Sequence, residues 1–102
     1  MKGLVSSLLE HGSIVTTEAK AKELRLHIEP LVTDAKGDMP LAKRRRLLSK
    51  LVKASDLNLL VDVAKANETR PGGYVRLTRL PITRHDSAQT MRIEFVEKTK
   101  AS

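Results

Sequence analysis

The sequence contains no cysteine and no tryptophan. Without cysteine the chain forms no disulfide, thiolate nucleophile or cysteine-based zinc site, which fits a reducing compartment. Aromatic residues are limited to Tyr74 and Phe95, too few for the row of stacking rings on which single-strand nucleic-acid modules depend. The core of the protein must therefore be built from leucine, valine, isoleucine and alanine.

Other missing features narrow the function further. No apolar run approaches the roughly 20 residues of a membrane span, and no cleavable signal peptide is visible, so we expect a soluble intracellular protein. His11, His27 and His85 are scattered and lack the spacing of a metal site or catalytic dyad. Gly72-Gly73 is not followed by the Lys-Ser/Thr of a phosphate loop. The sequence predicts no enzyme, no cofactor, no metal and no small-molecule substrate.

Charge is abundant and unevenly distributed. The net charge of the 102 residues is +7, with five basic and six acidic side chains in residues 1–39 and fourteen basic and six acidic in residues 40–102. A field of this sign attracts polyanions. We therefore expect one domain, residues 1–102, whose binding surface lies mainly in its second part.

Hydrophobic periodicity predicts an α+β fold with about four helices packed on a small mixed three-stranded sheet. Thr17, Asp38 and Ser55 are predicted N-caps of the second, third and fourth helices, and Pro30 is expected to kink the second. The last residues, 97–102, are expected to fray. The predicted elements are helix Lys2–His11, strand Ser13–Thr17, helices Glu18–Lys36, Met39–Lys53 and Asp56–Ala66, strand Tyr74–Leu80, a loop from Pro81 to Thr90, and strand Met91–Glu97.

Two groups of cations stand out, one in the third helix and one in the stretch Arg70–Pro81. At 100° per residue the third helix carries an acid-free stripe of Lys43, Arg46, Lys50 and Lys53, while Arg44 falls on the apolar side. In the second helix, by contrast, Glu18 with Lys22 and Arg25 with Glu29 have i,i+4 spacing, which favours local ion pairs on a solvated face.

The second group lies in the stretch Arg70–Pro81, where Pro71, Gly72 and Gly73 predict a turn that ends a helix. The strand that follows carries cations and no acid, and strand alternation places Arg76 on the side of Tyr74 and Arg79 on the other. We expect these cations to face an anionic partner. Its candidate contacts are Arg70, Tyr74, Arg76 and Arg79, with Arg84 beyond them.

A basic surface made by helix and sheet together favours nucleic acid over mere solubility. The third and fourth helices are spaced like a helix-turn-helix, but leucine, valine and aspartate make the fourth a poor reader of the major groove. The remaining mode is recognition of folded RNA by shape and phosphate contacts, with stacking or hydrogen bonding by Tyr74. A free basic RNA- or DNA-binding adaptor and an enzyme acting on RNA stay open as alternatives.

Three blocks carry a resemblance that spans nearly the whole chain. The sequence resembles the L-seventeen family of bacterial and organellar large-subunit ribosomal proteins in Ser7–His11 with Ile14, Thr16-Thr17 and Lys20–Arg25, in Arg70–Leu80, and in Asp86-Ser87-Ala88 with Ile93–Glu97. Members usually carry a basic arm before the first helix, and this sequence begins after that position. On this resemblance we expect weaker RNA affinity than is usual for the family.

The resemblance implies a structural, non-catalytic component of the large ribosomal subunit that binds ribosomal RNA near the polypeptide exit, among neighbouring ribosomal proteins. It implies a bacterial cytoplasmic ribosome or, alternatively, a mitochondrial one. The family's RNA-facing positions correspond to Lys20, Lys22, Arg70, Tyr74 and Arg76, so Lys22 is expected to serve RNA as well as its helix neighbour.

Overall fold

The computed structural model describes residues 1–81 and 89–97, which form four helices and an antiparallel three-stranded sheet. The predicted α+β class and element order are confirmed. The interior of the predicted loop, with Arg84 and His85, and the end of the tail lie outside the described residues. The elements are α1 Lys2–His11, β1 Ser13–Thr17, α2 Glu18–Asp34, α3 Leu41–Ser49, α4 Ala54–Ala66, β2 Val75–Arg79 and β3 Thr90–Phe95.

The first two helix junctions follow the local sequence. Gly12 ends α1 in the left-handed conformation, φ 78°, and its N–H donates to the carbonyl of Leu8 at 2.8 Å. Thr17 accepts a hydrogen bond from the N–H of Lys20 and so caps α2, as predicted. These positions required no information beyond a few neighbouring residues.

The predicted caps of α3 and α4 are wrong. Pro40, not Asp38, is the N-cap of α3, and Lys53 is the N-cap of α4, whose first residue lies before Ser55. A proline disfavours helical backbone in the residue before it. Met39 therefore stays outside α3, which begins two residues later and ends four residues earlier than predicted.

The sheet has the strand order β1-β3-β2, with β3 at its centre. Both pairings are antiparallel, so the sheet is antiparallel rather than mixed. Met91, Ile93 and Phe95 alternate along β3 toward the interior, where they are 5%, 0% and 5% exposed. The opposite face of the sheet carries Arg92 and Glu94.

Helix α2 packs on the inner face of all three strands, and α1, α3 and α4 complete the core. The buried face of α2 consists of residues spaced by three, four and seven positions, which is the pattern expected of an amphipathic helix. Pro30 lies within the helix on its exposed side. In the described residues no helix has the length and apolar character needed to cross a membrane. The buried residues of α2 are Ala21, Leu24, Ile28, Leu31 and Val32.

Candidate nucleic-acid interface

The Pro71-Gly72-Gly73 turn delivers Tyr74 into the core. Gly73 has φ +64°, a backbone conformation that favours glycine. Gly72 lies outside this region of positive φ. The Tyr74 N–H donates to a carboxylate oxygen of Glu29 at 2.9 Å, and its hydroxyl lies 2.8 Å from the hydroxyl of Thr33. Two bonds to α2 thus fix the start of the second strand.

Tyr74 is 1% exposed, so its ring has no free face for a nucleobase. The Lys36 ammonium lies 4.7 Å from the ring centroid. The pKa of the Tyr74 phenol lies below its ordinary value. Lys36 is the largest cause, and the hydrogen bond with Thr33 is the second. The predicted contact between Tyr74 and RNA has no support from this geometry.

The arginines of the Arg70–Pro81 stretch are not left without acidic neighbours. All three that the structure describes face a carboxylate from another element or from the chain after β3. The pairs are Arg70 with Glu97 at 2.7 Å, Arg76 with Glu94 at 4.0 Å, and Arg79 with Glu18 at 3.0 Å. The side chains of these pairs are 22–68% exposed, and pairs open to solvent contribute roughly 0–1 kcal/mol to stability. They reduce the free positive charge without removing the cations from solvent.

The strand register confirms the predicted separation of Arg76 from Arg79. The prediction that Arg76 shares the side of Tyr74 is wrong, because Tyr74 is buried in the core. Arg76 lies opposite Glu94 on the outer face, whereas Arg79 lies opposite Met91, whose side chain points to the core. Arg79 reaches the first turn of α2, where Lys22 and then Arg79 lower the pKa of Glu18. The two arginines therefore cannot contact one ligand on the same face of the sheet.

Three of the four cations in the acid-free stripe predicted for the third helix are bound by other parts of the chain. Lys43 donates to the carbonyls of Lys36 and Asp38 at 2.6 and 3.0 Å. The Arg46 guanidinium binds the Asp34 carboxylate through contacts of 2.8–3.3 Å. Lys53 pairs with Glu10 at the end of α1. Of the four stripe residues, Lys50 alone has no such partner within the described part of the chain.

Arg44 and Arg45 lie on the exposed side of α3 and were not among the predicted contact residues. Both are exposed and make no ion pair with a described residue. Arg44 was expected on an apolar side, but Leu47 is the one buried residue of this short helix. Since little of the circumference of α3 is covered, Arg44 reaches solvent without snorkelling. The Lys-Arg-Arg-Arg run itself was the available signal.

In α2, some cations have an acidic partner within the protein, and others have none among the described residues. Lys22 pairs with Glu18 at 3.1 Å, as predicted. The predicted pair of Arg25 with Glu29 is absent, and Glu29 accepts the Tyr74 N–H. Lys20 and Arg25 are exposed and have no acidic partner among the described residues.

Arg92 is a further exposed cation that the sequence reasoning did not select. It occupies the outer face of β3 between Val15 of β1 and Thr78 of β2, all three exposed. Strand alternation in β3 was the signal that could have identified it. Within residues 1–81 and 89–97, no three histidine, aspartate or glutamate side chains gather to hold a metal ion.

Comparison with known proteins gives a consistent result. Residues 1–96 match the family model described as ribosomal protein L17. Proteins named large ribosomal subunit protein bL17 are 40% identical in Bdellovibrio bacteriovorus, 43% in Sphingopyxis alaskensis and 42% in Gemmatimonas aurantiaca, over 95%, 95% and 94% of this chain. The matched region covers 54%, 70% and 81% of those relatives, so this chain spans about half the length of the first.

Proposed function

The chain belongs to the ribosomal protein L17 family, the L-seventeen family that its three sequence blocks resemble, and we propose on this basis that it is a structural constituent of the large subunit of a bacterial ribosome. It binds folded ribosomal RNA by shape and phosphate contacts and catalyses no reaction. The relatives named above are bacterial, so the mitochondrial alternative is not needed. A position near the polypeptide exit and contacts with neighbouring ribosomal proteins are carried over from the family.

The observation that best supports RNA binding is the set of exposed cations without an acidic partner in the described residues. Arg44 and Arg45 lie on α3, Lys50 lies just beyond its end, and Lys20 and Arg25 lie on α2. Because no acid among the described residues neutralises these charges, they are available to phosphates. Arginine suits this role because one guanidinium group can donate two parallel hydrogen bonds to two oxygens of a phosphate.

We assign a secondary role to the predicted contact residues that already have a partner within the protein. An exposed ion pair is weak enough to be exchanged for a phosphate. Tyr74 is left out because it is buried, and Arg84, outside the described residues, stays a prediction. The residues with this secondary role are Lys22, Lys43, Arg46, Lys53, Arg70, Arg76 and Arg79.

Sedimentation tests the proposed assembly. A tagged copy of the chain, expressed in a bacterium whose own family member has been depleted, is expected to co-sediment with large subunits at moderate salt. A free RNA- or DNA-binding adaptor would remain in the light fractions. Recovery of the protein in those fractions alone would contradict the ribosomal assignment.

The phosphate contacts are tested by affinity for large-subunit ribosomal RNA over a range of salt concentrations. The double variant Arg44→Gln, Arg45→Gln should bind more weakly and with a salt slope reduced by about two, one for each lost phosphate contact. Arg46→Gln on the same helix is the matched control, because Asp34 already occupies that guanidinium. We expect it to change the slope by less than one. A wild-type slope in the double variant would remove these arginines from the interface.

A further inference from the structure

A groove of about 430 Å³ lies between α1, the middle of α2 and the end of α3. Val5 and Leu31 line its base and are 3% and 6% exposed. Its volume falls within the roughly 300–1,000 Å³ of clefts that enclose small organic ligands. The groove is therefore large enough for more than a single amino-acid side chain.

The α2 wall of the groove is apolar and contains one planar ring. Leu26 is 72% exposed, and Pro30 lies one helical turn further along the same side. The His27 side chain, 52% exposed, lies between them in sequence and also lines the groove. Since Tyr74 and Phe95 are buried, His27 supplies the ring on which a base could stack here.

The titratable side chains that line the groove are Lys2, His27 and Lys50, and all of them are basic. Lys2 donates to the carbonyl of Ser49 at 2.9 Å and so joins α1 to the end of α3. Lys50 is exposed and has no acidic partner among the described residues. Among the described residues, Glu23 is the acid that pairs with a lining side chain, 3.9 Å from His27. The rim thus complements an anion that also carries an apolar, planar group.

We propose that this groove receives one unstacked nucleotide of ribosomal RNA, with its base against Leu26, His27 and Pro30 and its phosphate near Lys50. Bases freed from a helix stack on rings and apolar side chains, and their phosphates require cations. The inference rests on the proposed ribosomal function but adds a contact of a different kind, because phosphate binding alone does not use an exposed leucine. An apolar side chain of a neighbouring protein would use the wall and leave the cations unmatched.

The test combines affinity with nucleotide-resolution chemical probing of large-subunit ribosomal RNA bound to the full chain. His27→Ala should weaken binding by about tenfold, within the range produced by loss of one base stacked on a ring, and Leu26→Ala should weaken it by a smaller factor. The salt slope should not change, and one unpaired nucleotide protected by the wild type should become reactive. Lys50→Gln should instead reduce the slope by about one. Leu41→Ala, a leucine 62% exposed on α3 and away from the groove, is the matched control.

Each outcome decides the proposal. It is overturned if Leu26→Ala and His27→Ala behave like Leu41→Ala in both affinity and reactivity. It is also overturned if these variants bind RNA normally but enter complete subunits poorly, since the groove would then receive a neighbouring protein. A wild-type chain that binds ribosomal RNA no better than an unrelated RNA overturns the proposed function as well. Both leucines and His27 are exposed, so none of the substitutions is expected to unfold the protein.

Discussion

The hydrogen bond between Tyr74 and Thr33 provides a direct test of the structural role assigned to the tyrosine. Tyr74→Phe keeps the buried ring and removes the hydroxyl that lies 2.8 Å from the Thr33 hydroxyl. A hydrogen bond of this kind contributes about 0.5–1.5 kcal/mol net. Because Thr33 lies at an exposed position, water can replace the lost partner. We expect a loss of about 1 kcal/mol in the free energy of unfolding.

Thr33→Val removes the same bond from the other side and should be at least as costly. It leaves the tyrosine hydroxyl buried without its partner, which costs about 1–3 kcal/mol. In the double variant neither hydroxyl remains, so its loss should fall well below the sum of the two single losses. The two residues are thus expected to behave as one unit.

Urea unfolding of the four proteins measures these losses, and thermal unfolding should show a decrease of about 4–8 °C in Tm for each kcal/mol. At equal folded fractions, Tyr74→Phe should bind ribosomal RNA like the wild type. The pKa of Tyr74 is lowered from 10.0 by Lys36 and Thr33, so the unfolded chain holds this proton to higher pH than the folded one. The advantage of the wild type over Tyr74→Phe should therefore grow as the pH rises toward 10.

Two results would refute this reasoning. Additive losses in the double variant would show that the hydroxyls are not coupled. Weaker RNA binding by Tyr74→Phe without a change in stability would show that the hydroxyl contacts RNA, as the sequence predicted.

Three further predictions concern the core, the turn and the acid range. Leu60 is 0% exposed, so Leu60→Ala should reduce the free energy of unfolding by about 2–5 kcal/mol. Leu41→Ala, at an exposed site, should reduce it by at most about 0.5 kcal/mol. Equal losses of the two variants in urea unfolding would contradict the described core. Gly73→Ala should cost about 1–2 kcal/mol because of its positive φ, whereas Gly72→Ala should be near neutral, and thermal unfolding would show any reversal. The hydrogen bond and positive charge of Lys53 lower the pKa of the Glu10 carboxyl below 4.5. The free energy of unfolding should therefore fall as acid protonates Glu10. That acid-induced decrease should be smaller in Glu10→Gln, and an unchanged acid profile would show that the pair does not stabilise the fold.

Much of the architecture could be predicted from the sequence because it depends on local signals. The apolar spacing of α1, the left-handed Gly12 and the cap at Thr17 each involve residues within a few positions of one another. The caps of α3 and α4 could not be found in this way. Asp38 has the right chemistry, but backbone geometry before Pro40 outweighs the preference of a side chain for a cap.

The sequence by itself determined the order of the elements, the excess of positive charge and the family to which the chain belongs. The tertiary structure alone decided which cations of the described residues have an acidic partner, because acids far away in sequence approach the basic residues. Asp34 of α2 neutralises Arg46 of α3, while Arg44 and Arg45 beside it stay exposed. Packing against α2 likewise turned Tyr74 from a candidate RNA contact into a core residue. Burial and ion pairing depend on the arrangement of whole elements, and periodicity along one element does not contain that information.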